Sequence, residues 1–175
     1  MMRKLLLTVS LSLLIAAQAD EIVSHEQPFN LIYQKTMQYT RNDVYVGSQI
    51  LSGQLYYVGD GPFGDGFYFQ VDDKDVPKLP VIVMHKGEPQ QTTFVLNDLQ
   101  DMNDEQLQSA AQALGIKTDL TSTSFRERMC GVEGPITLQA SSINFFGVED
   151  SEYNIDIRIV RVIDSGPFRT MCNEL

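Results

Sequence analysis

The sequence predicts a mainly β domain with helices, in which five strands are preceded by one helix and interrupted by another between the third and fourth. Three observations carry this prediction. Apolar and polar residues alternate with period two over most of the chain after Val44. Two segments instead repeat apolar residues at helical spacing, and Gly/Pro/Asp clusters stand between the periodic runs. With 43% apolar and 21% charged residues in 175, the chain is too apolar for a disordered one and long enough for a single core. The counts of 12 Gly and 7 Pro exclude a collagenous or low-complexity chain.

Residues 1–19 are read as a leader rather than as part of the fold. Arg3 and Lys4 precede an apolar run, Leu5 to Ala17, which ends in Ala17-Gln18-Ala19. That is a charged segment, an apolar core and a small-x-small cleavage site, so cleavage is expected before Asp20. A membrane anchor needs about 20 apolar residues, whereas this run is shorter and contains Thr8, Ser10 and Ser12. No cysteine stands at the cleavage site to carry a lipid. The expectation is a soluble exported product, periplasmic or secreted, with residues 20–175 as one domain. Removing the leader takes away Arg3 and Lys4 and no acidic residue, which moves the formal charge from −10 to −12.

Ser24 to Thr40 reads as a helix lying on the body as a lid. Pro28 suits a first turn, and Phe29, Ile32, Tyr33, Thr36 and Met37 recur at i, i+3, i+4, i+7, i+8. A long first strand follows from Val44 to Val58, with Leu55 and Tyr57 on one face, Tyr56 and Val58 on the other, and Gly53 where a bend or bulge is cheap. Gly59 to Gly66 is a turn-rich loop, and Phe67, Phe69 and Val71 alternate with Tyr68 and Gln70 beyond it, which predicts a hairpin.

A third strand is expected over Leu79 to His85, with Thr92 to Leu96 either pairing with it or continuing it past the Lys86–Pro89 turn. Asn103 opens the second helix with Gln106 at the capping-box position, Leu107, Ala110, Ala111 and Leu114 form its stripe, and Gly115 stops it. Two strands follow a polar stretch at 118–124: Ile136 to Ala140, then Tyr153 to Val162. The last strand changes phase, because Arg161 falls on the face that Ile157 and Ile159 had occupied, and this predicts a bulge near Ile159 or Val160.

Export places Cys130 and Cys172 in an oxidising compartment, where a bridge is expected. It would close a loop of about 43 residues, worth roughly 4 kcal/mol of chain entropy before strain, and would tether the tail at 164–175. A reactive thiol wants a nearby histidine or basic helix end, and neither cysteine has a local histidine.

The strand order, with a glycine inside the first strand and a helix before the fourth, resembles the OB-fold, a five-stranded partly open Greek-key barrel. More narrowly, Asn42-Asp43-Val44-Tyr45-Val46-Gly47 leading into Ile50-Leu51-Ser52-Gly53-Gln54-Leu55 resembles the exported bacterial OB-fold domains of the tRNA-anticodon-like type. Gly134-Pro135-Ile136-Thr137-Leu138-Gln139-Ala140 matches their glycine-led fourth strand. The resemblance covers about residues 42–163 and implies a barrel over that span. Another small β-barrel with a helical lid is the competing architecture.

OB-folds bind nucleic acids, sugars and proteins alike, so function must be argued from the surface. A single-strand nucleic-acid binder needs aromatics within a basic groove. The aromatics are present, since Tyr56, Tyr57, Phe67, Tyr68 and Phe69 fall on the first two strands. The charge is not: 23 Asp+Glu face 13 Lys+Arg, two of which lie in the leader. Arg126, Arg128, Arg158 and Arg161 are read as a solvated face with internal ion pairs rather than as a patch. Nucleic-acid binding is therefore not carried over from the resemblance.

Tyr56, Tyr57 and Tyr68, with Phe63 in the glycine-rich loop, are the candidate ligand-binding residues, an aromatic platform for a protein, peptide or glycan. Barrel core or rim is the alternative for about half the tyrosines. No catalytic residue is assigned. His25 and His85 are the only histidines, and neither Gly-x-Ser-x-Gly nor a phosphate- or dinucleotide-binding glycine pattern occurs. No cofactor or metal is assigned, since Asp60, Asp65, Asp72, Asp73 and Asp75 fail the calcium-loop spacing and read as solvated turns. The preferred reading is a non-catalytic binding module. Two alternatives stand beside it: a small hydrolase or nuclease assembled only in three dimensions, and an inhibitor or immunity-type protein against a basic partner.

Overall fold

The computed structural model describes residues 26–37, 40–59, 66–82, 90–96, 102–148 and 153–172. The leader, both histidines, Phe63 and the Lys86–Pro89 turn lie outside them. In chain order the described elements are β1 Gln27–Met37, β2 Thr40–Val58, β3 Gly66–Val71, a 3-10 turn at Val76–Lys78, β4 Thr93–Val95, α1 Asp104–Ala113, α2 Thr123–Glu127, β5 Gly131–Val148, β6 Tyr153–Ser165 and β7 Arg169–Met171. Among the described residues no helix is long and apolar enough to cross a membrane.

The strands form one sheet in the order β1-β2-β3-β4-β6-β5-β7, and a further β2–β5 pairing closes β2, β3, β4, β6 and β5 into a ring. All pairings are antiparallel except β4 with β6, which is parallel through Val95 and Asp156. Alternation explains the ring's inside: along β2, Leu51, Leu55 and Tyr57 point inward, and Phe67, Phe69, Phe94, Leu138, Ile143 and Phe145 meet them. Gly53 pairs with Val71 on one side and Ile136 on the other. A Cβ there would strike the Gln70 carbonyl oxygen and come within 2.7 Å of the Phe69 ring, so the close approach requires glycine.

The β2–β3 hairpin and helix α1 stand where the sequence puts them, β6 begins at the expected Tyr153, and β5 contains the expected Ile136–Ala140 but runs from Gly131 to Val148. Asn103 Oδ1 accepts from the Gln106 N–H at 3.0 Å and Gln106 Oε1 from the Asn103 N–H at 3.0 Å, closing the capping box of α1. Leu107, Ala111 and Leu114 are buried, and Gly115 has φ +86°, as a helix stop demands. The expected bulge falls at Val160, where the register steps from Gln139↔Arg161 to Ala140↔Ile159.

Three expectations are corrected. The N-terminal helix is absent from the described part of 24–40, which is instead strand β1, paired with Thr40–Ser48. Helical spacing stabilises a helix only if its stripe is buried. Here Phe29 alone is half-buried, while Ile32 is 64% exposed, and the β2 ladder pairs one edge of a segment that carries the strand-favouring Phe29, Ile32, Tyr33 and Thr36. The third strand of the ring is Thr93–Val95; of the expected Leu79–His85, residues 79–82 are not a strand and 83–85 lie outside the described residues. Leu79 and Ile82 are buried plugs after the 3-10 turn, and Gln91 N–H donating to Ile82 O at 3.1 Å is the backbone bond seen between the two segments. Finally, the tail is not merely tethered: Cys130 and Cys172 stand at disulfide distance, their Cα atoms 4.0 Å apart, and β7 pairs with Gly131–Glu133 alongside.

Candidate functional site

Alternation in the β2–β3 hairpin separates the candidate tyrosines. Tyr56 pairs with Tyr68 and Tyr57 with Phe67, so the two pairs lie on opposite faces. Tyr56 and Tyr68 stand side by side on the outer face, both half-buried, and the Tyr56 hydroxyl is within 3.3 Å of Gln70 Oε1. Tyr57 points inward and is 3% exposed, with its ring 5.0 Å from Phe67 and 6.1 Å from Phe125. Phe63 lies outside the described residues. The structure thus brings two of the four together and sets Tyr57 in a different place.

That place is a cleft of about 310 Å3 at the end of β2, bounded by Tyr57, Gly59, Met102, Asp104, Leu107, Phe125, Arg126, Met129 and Cys130. The core residues Tyr57, Leu107 and Phe125 stand at its base, while more of its exposed lining is polar than apolar. Its rim is charged: Arg126 Nη2 lies 2.5 Å from Asp104 Oδ1, with both side chains substantially exposed. Ser122 caps α2 by accepting from the Phe125 N–H at 3.4 Å, which turns Phe125 inward and Arg126 outward.

The end of α2 shapes the remaining wall. Met129 N–H donates to Arg126 O at 2.9 Å and Cys130 N–H to Phe125 O at 3.0 Å, the paired bonds of a Schellman ending with Met129 at its left-handed position. Its φ is +47°, a conformation that costs a residue with a Cβ about 1 kcal/mol and that glycine normally fills. The side chain is held 62% exposed at the mouth of the cleft. Cys130 then anchors this wall to the tail through Cys172.

Away from the cleft, polar groups hold the sheet's irregular points. Lys78 Nζ reaches Ile50 O at 2.7 Å, Asp75 Oδ1 at 3.0 Å and Glu26 Oε1 at 3.4 Å, while Asp75 Oδ2 accepts from the Ser52 N–H at 2.8 Å. Burial pushes the Asp75 carboxyl up, but the Ser52 bond and Lys78 outweigh it and hold it below the ordinary carboxylate value. Burial likewise pulls Lys78 down, and Asp75 and Glu26 together hold it above its ordinary value. Asp75, read from sequence as a solvated turn, is instead a buried clamp on the bend of β2. Among the described residues no three of His, Cys, Asp and Glu gather to hold a metal.

The four arginines singled out from sequence divide between α2 with its cap, Arg126 and Arg128, and β6, Arg158 and Arg161. Arg126 pairs with Asp104, and Arg161 Nε donates to Gln139 Oε1 at 2.9 Å. The cleft residues that sequence reading missed are Met102, Asp104, Leu107, Phe125 and Met129. The one available signal was Ser122, a cap three residues before an aromatic. Compared with protein-family models, curated proteins and solved structures, the chain matches none.

Proposed function

We propose that this protein is an exported, non-catalytic binding module built on an OB-type ring, and that it recognises a protein or peptide by taking an apolar side chain into the cleft beside Tyr57. The strand order, the glycine at the bend of the first ring strand and the helix before the fourth support the OB reading. The cysteine pair is compatible with an oxidising, exported location. The observation that carries the functional reading is the cleft: core aromatics at its base, a charged rim and a thioether held at its mouth in a costly backbone conformation. Methionine suits an adaptable contact surface. With 23 Asp+Glu against 13 Lys+Arg, the field of the chain favours partners carrying basic residues around the inserted side chain.

The test is selection from a random peptide library on the immobilised full chain, repeated with Met129→Gly. Glycine relieves the left-handed position while deleting the side chain, so the variant is expected to fold at least as stably as the parent. Its affinity for the selected peptides should drop by roughly tenfold or more, about 1.4 kcal/mol. Selected peptides that bind M129G as tightly as the parent would place recognition elsewhere, and the cleft reading would be withdrawn.

A further inference from the structure

We infer that β1 is a self-association edge, through which two copies of this chain pair antiparallel, β1 against β1. The strand spans 11 residues, roughly 35 Å of ladder, and pairs with β2 on one side only among the described residues. It is held as a strand and is not a loose segment. Gln34 Nε2 donates to the buried Asp43 at 3.0 Å, and Gly47 sits so close that a Cβ would meet the Gln27 and Pro28 carbonyl oxygens at 2.7–2.8 Å. Leu31, Ile32, Tyr33 and Met37 are exposed along it, a density of large apolar side chains that an edge left to water does not carry safely.

Charge and register identify the occupant as a second copy. The chain carries formal charge −10, so two copies repel wherever acidic surfaces meet. β1 contains no Asp or Glu and one Lys, Lys35, so contact at this edge brings no carboxylates of the two strands together. Its register irregularities fall at its first half, between Gln27 and Asn30 and between Leu31 and Tyr33, while Tyr33 to Met37 pairs regularly with β2. A two-fold axis through Gln34 places Tyr33 of each copy opposite Lys35 of the other, and brings Leu31 and Ile32 against Thr36 and Met37. Tyr33 and Lys35 share a face, because their β2 partners Val44 and Asn42 do. The axis therefore sets a cation over an aromatic ring twice and never lysine against lysine.

Sedimentation velocity on the full chain, from low to high micromolar concentration, tests the pairing. The expected result is a concentration-dependent dimer. Tyr33→Lys sets lysine against lysine twice about the axis and should raise the dimer dissociation constant by roughly tenfold or more. Tyr33→Glu sets a carboxylate against Lys35 and should retain the dimer. Because Tyr33 is exposed, both variants are expected to keep the parent's unfolding midpoint, so a shared loss of dimer cannot be put down to misfolding. A chain that stays monomeric at all concentrations, a dimer that Y33K leaves unchanged, or a monomer whose β1 captures a strand of another protein would each overturn the inference.

Discussion

The two halves of β2 are held by different physics. From Gln49 to Val58 the strand is laddered to β5 and, from Gly53 on, to β3, and beyond the buried Gln49 its inward face is an apolar row of Leu51, Leu55 and Tyr57 around Gly53. From Thr40 to Val46 it is laddered to the exposed β1 and to β5, and its most buried position is a carboxylate: Asp43, 0% exposed. Arg41 Nε donates to Asp43 at 2.7 Å, Gln34 donates to it at 3.0 Å, and Tyr45 Oη lies 3.4 Å away. The Asp43 bond raises Arg41 above its ordinary value, while burial, followed by the Asp43 charge, raises the Tyr45 phenol. One half rests on area removed from water and the other on directed bonds, so substitutions should affect different regions.

The largest expected effect is at the apolar half. Leu55→Ala empties a fully buried position and should cost about 3–4 kcal/mol in urea unfolding, loosening ring and edge together. Asp43→Ala should cost about 2 kcal/mol, less than a fully buried pair because Arg41 reaches water. Its signature is regional: hydrogen exchange should quicken across Gln27–Met37 while the β2–β3 hairpin keeps its protection. Uniform quickening by both variants would break the comparison.

The smallest effect tests a directed bond within the apolar half, where Asp75 clamps Ser52. Its folded-state value is depressed, so its contribution is present above the unfolded carboxylate range and is lost as pH falls through the folded value. The parent should therefore lose stability faster than Asp75→Asn as pH is lowered below about 4. Urea midpoints measured in acid check this, and parallel curves would remove Asp75 from the clamp.

What could be read from the sequence follows the reach of the signals. α1 was legible because cap, stripe and stop all lie within a dozen residues, and the Val160 bulge because alternation changes phase within one strand. β1 was misread because its spacing satisfies a helix, and whether a stripe finds a core is not written in the stripe. Alternation put Tyr56 and Tyr57 on opposite faces, but the cleft at Tyr57 is assembled from 57–59, 102–107 and 125–130. Those segments are far apart in the chain, so Tyr57, Leu107 and Phe125 carry no local mark of belonging together.

Within the ring, β4 stands between two unlike neighbours. β4 is stitched to β3 by its ladder, extended by Val71 N–H to Thr92 O and Leu96 N–H to Phe67 O, both near 2.9–3.0 Å. Toward β6, among the described residues, it pairs in parallel through Val95 and Asp156. β3 and β4 thus form one laddered unit, continuous with β2 through the Gly53–Val58 pairing. The same stretch of β2 carries Tyr57, so the ladder that holds this unit in place also fixes one wall of the cleft.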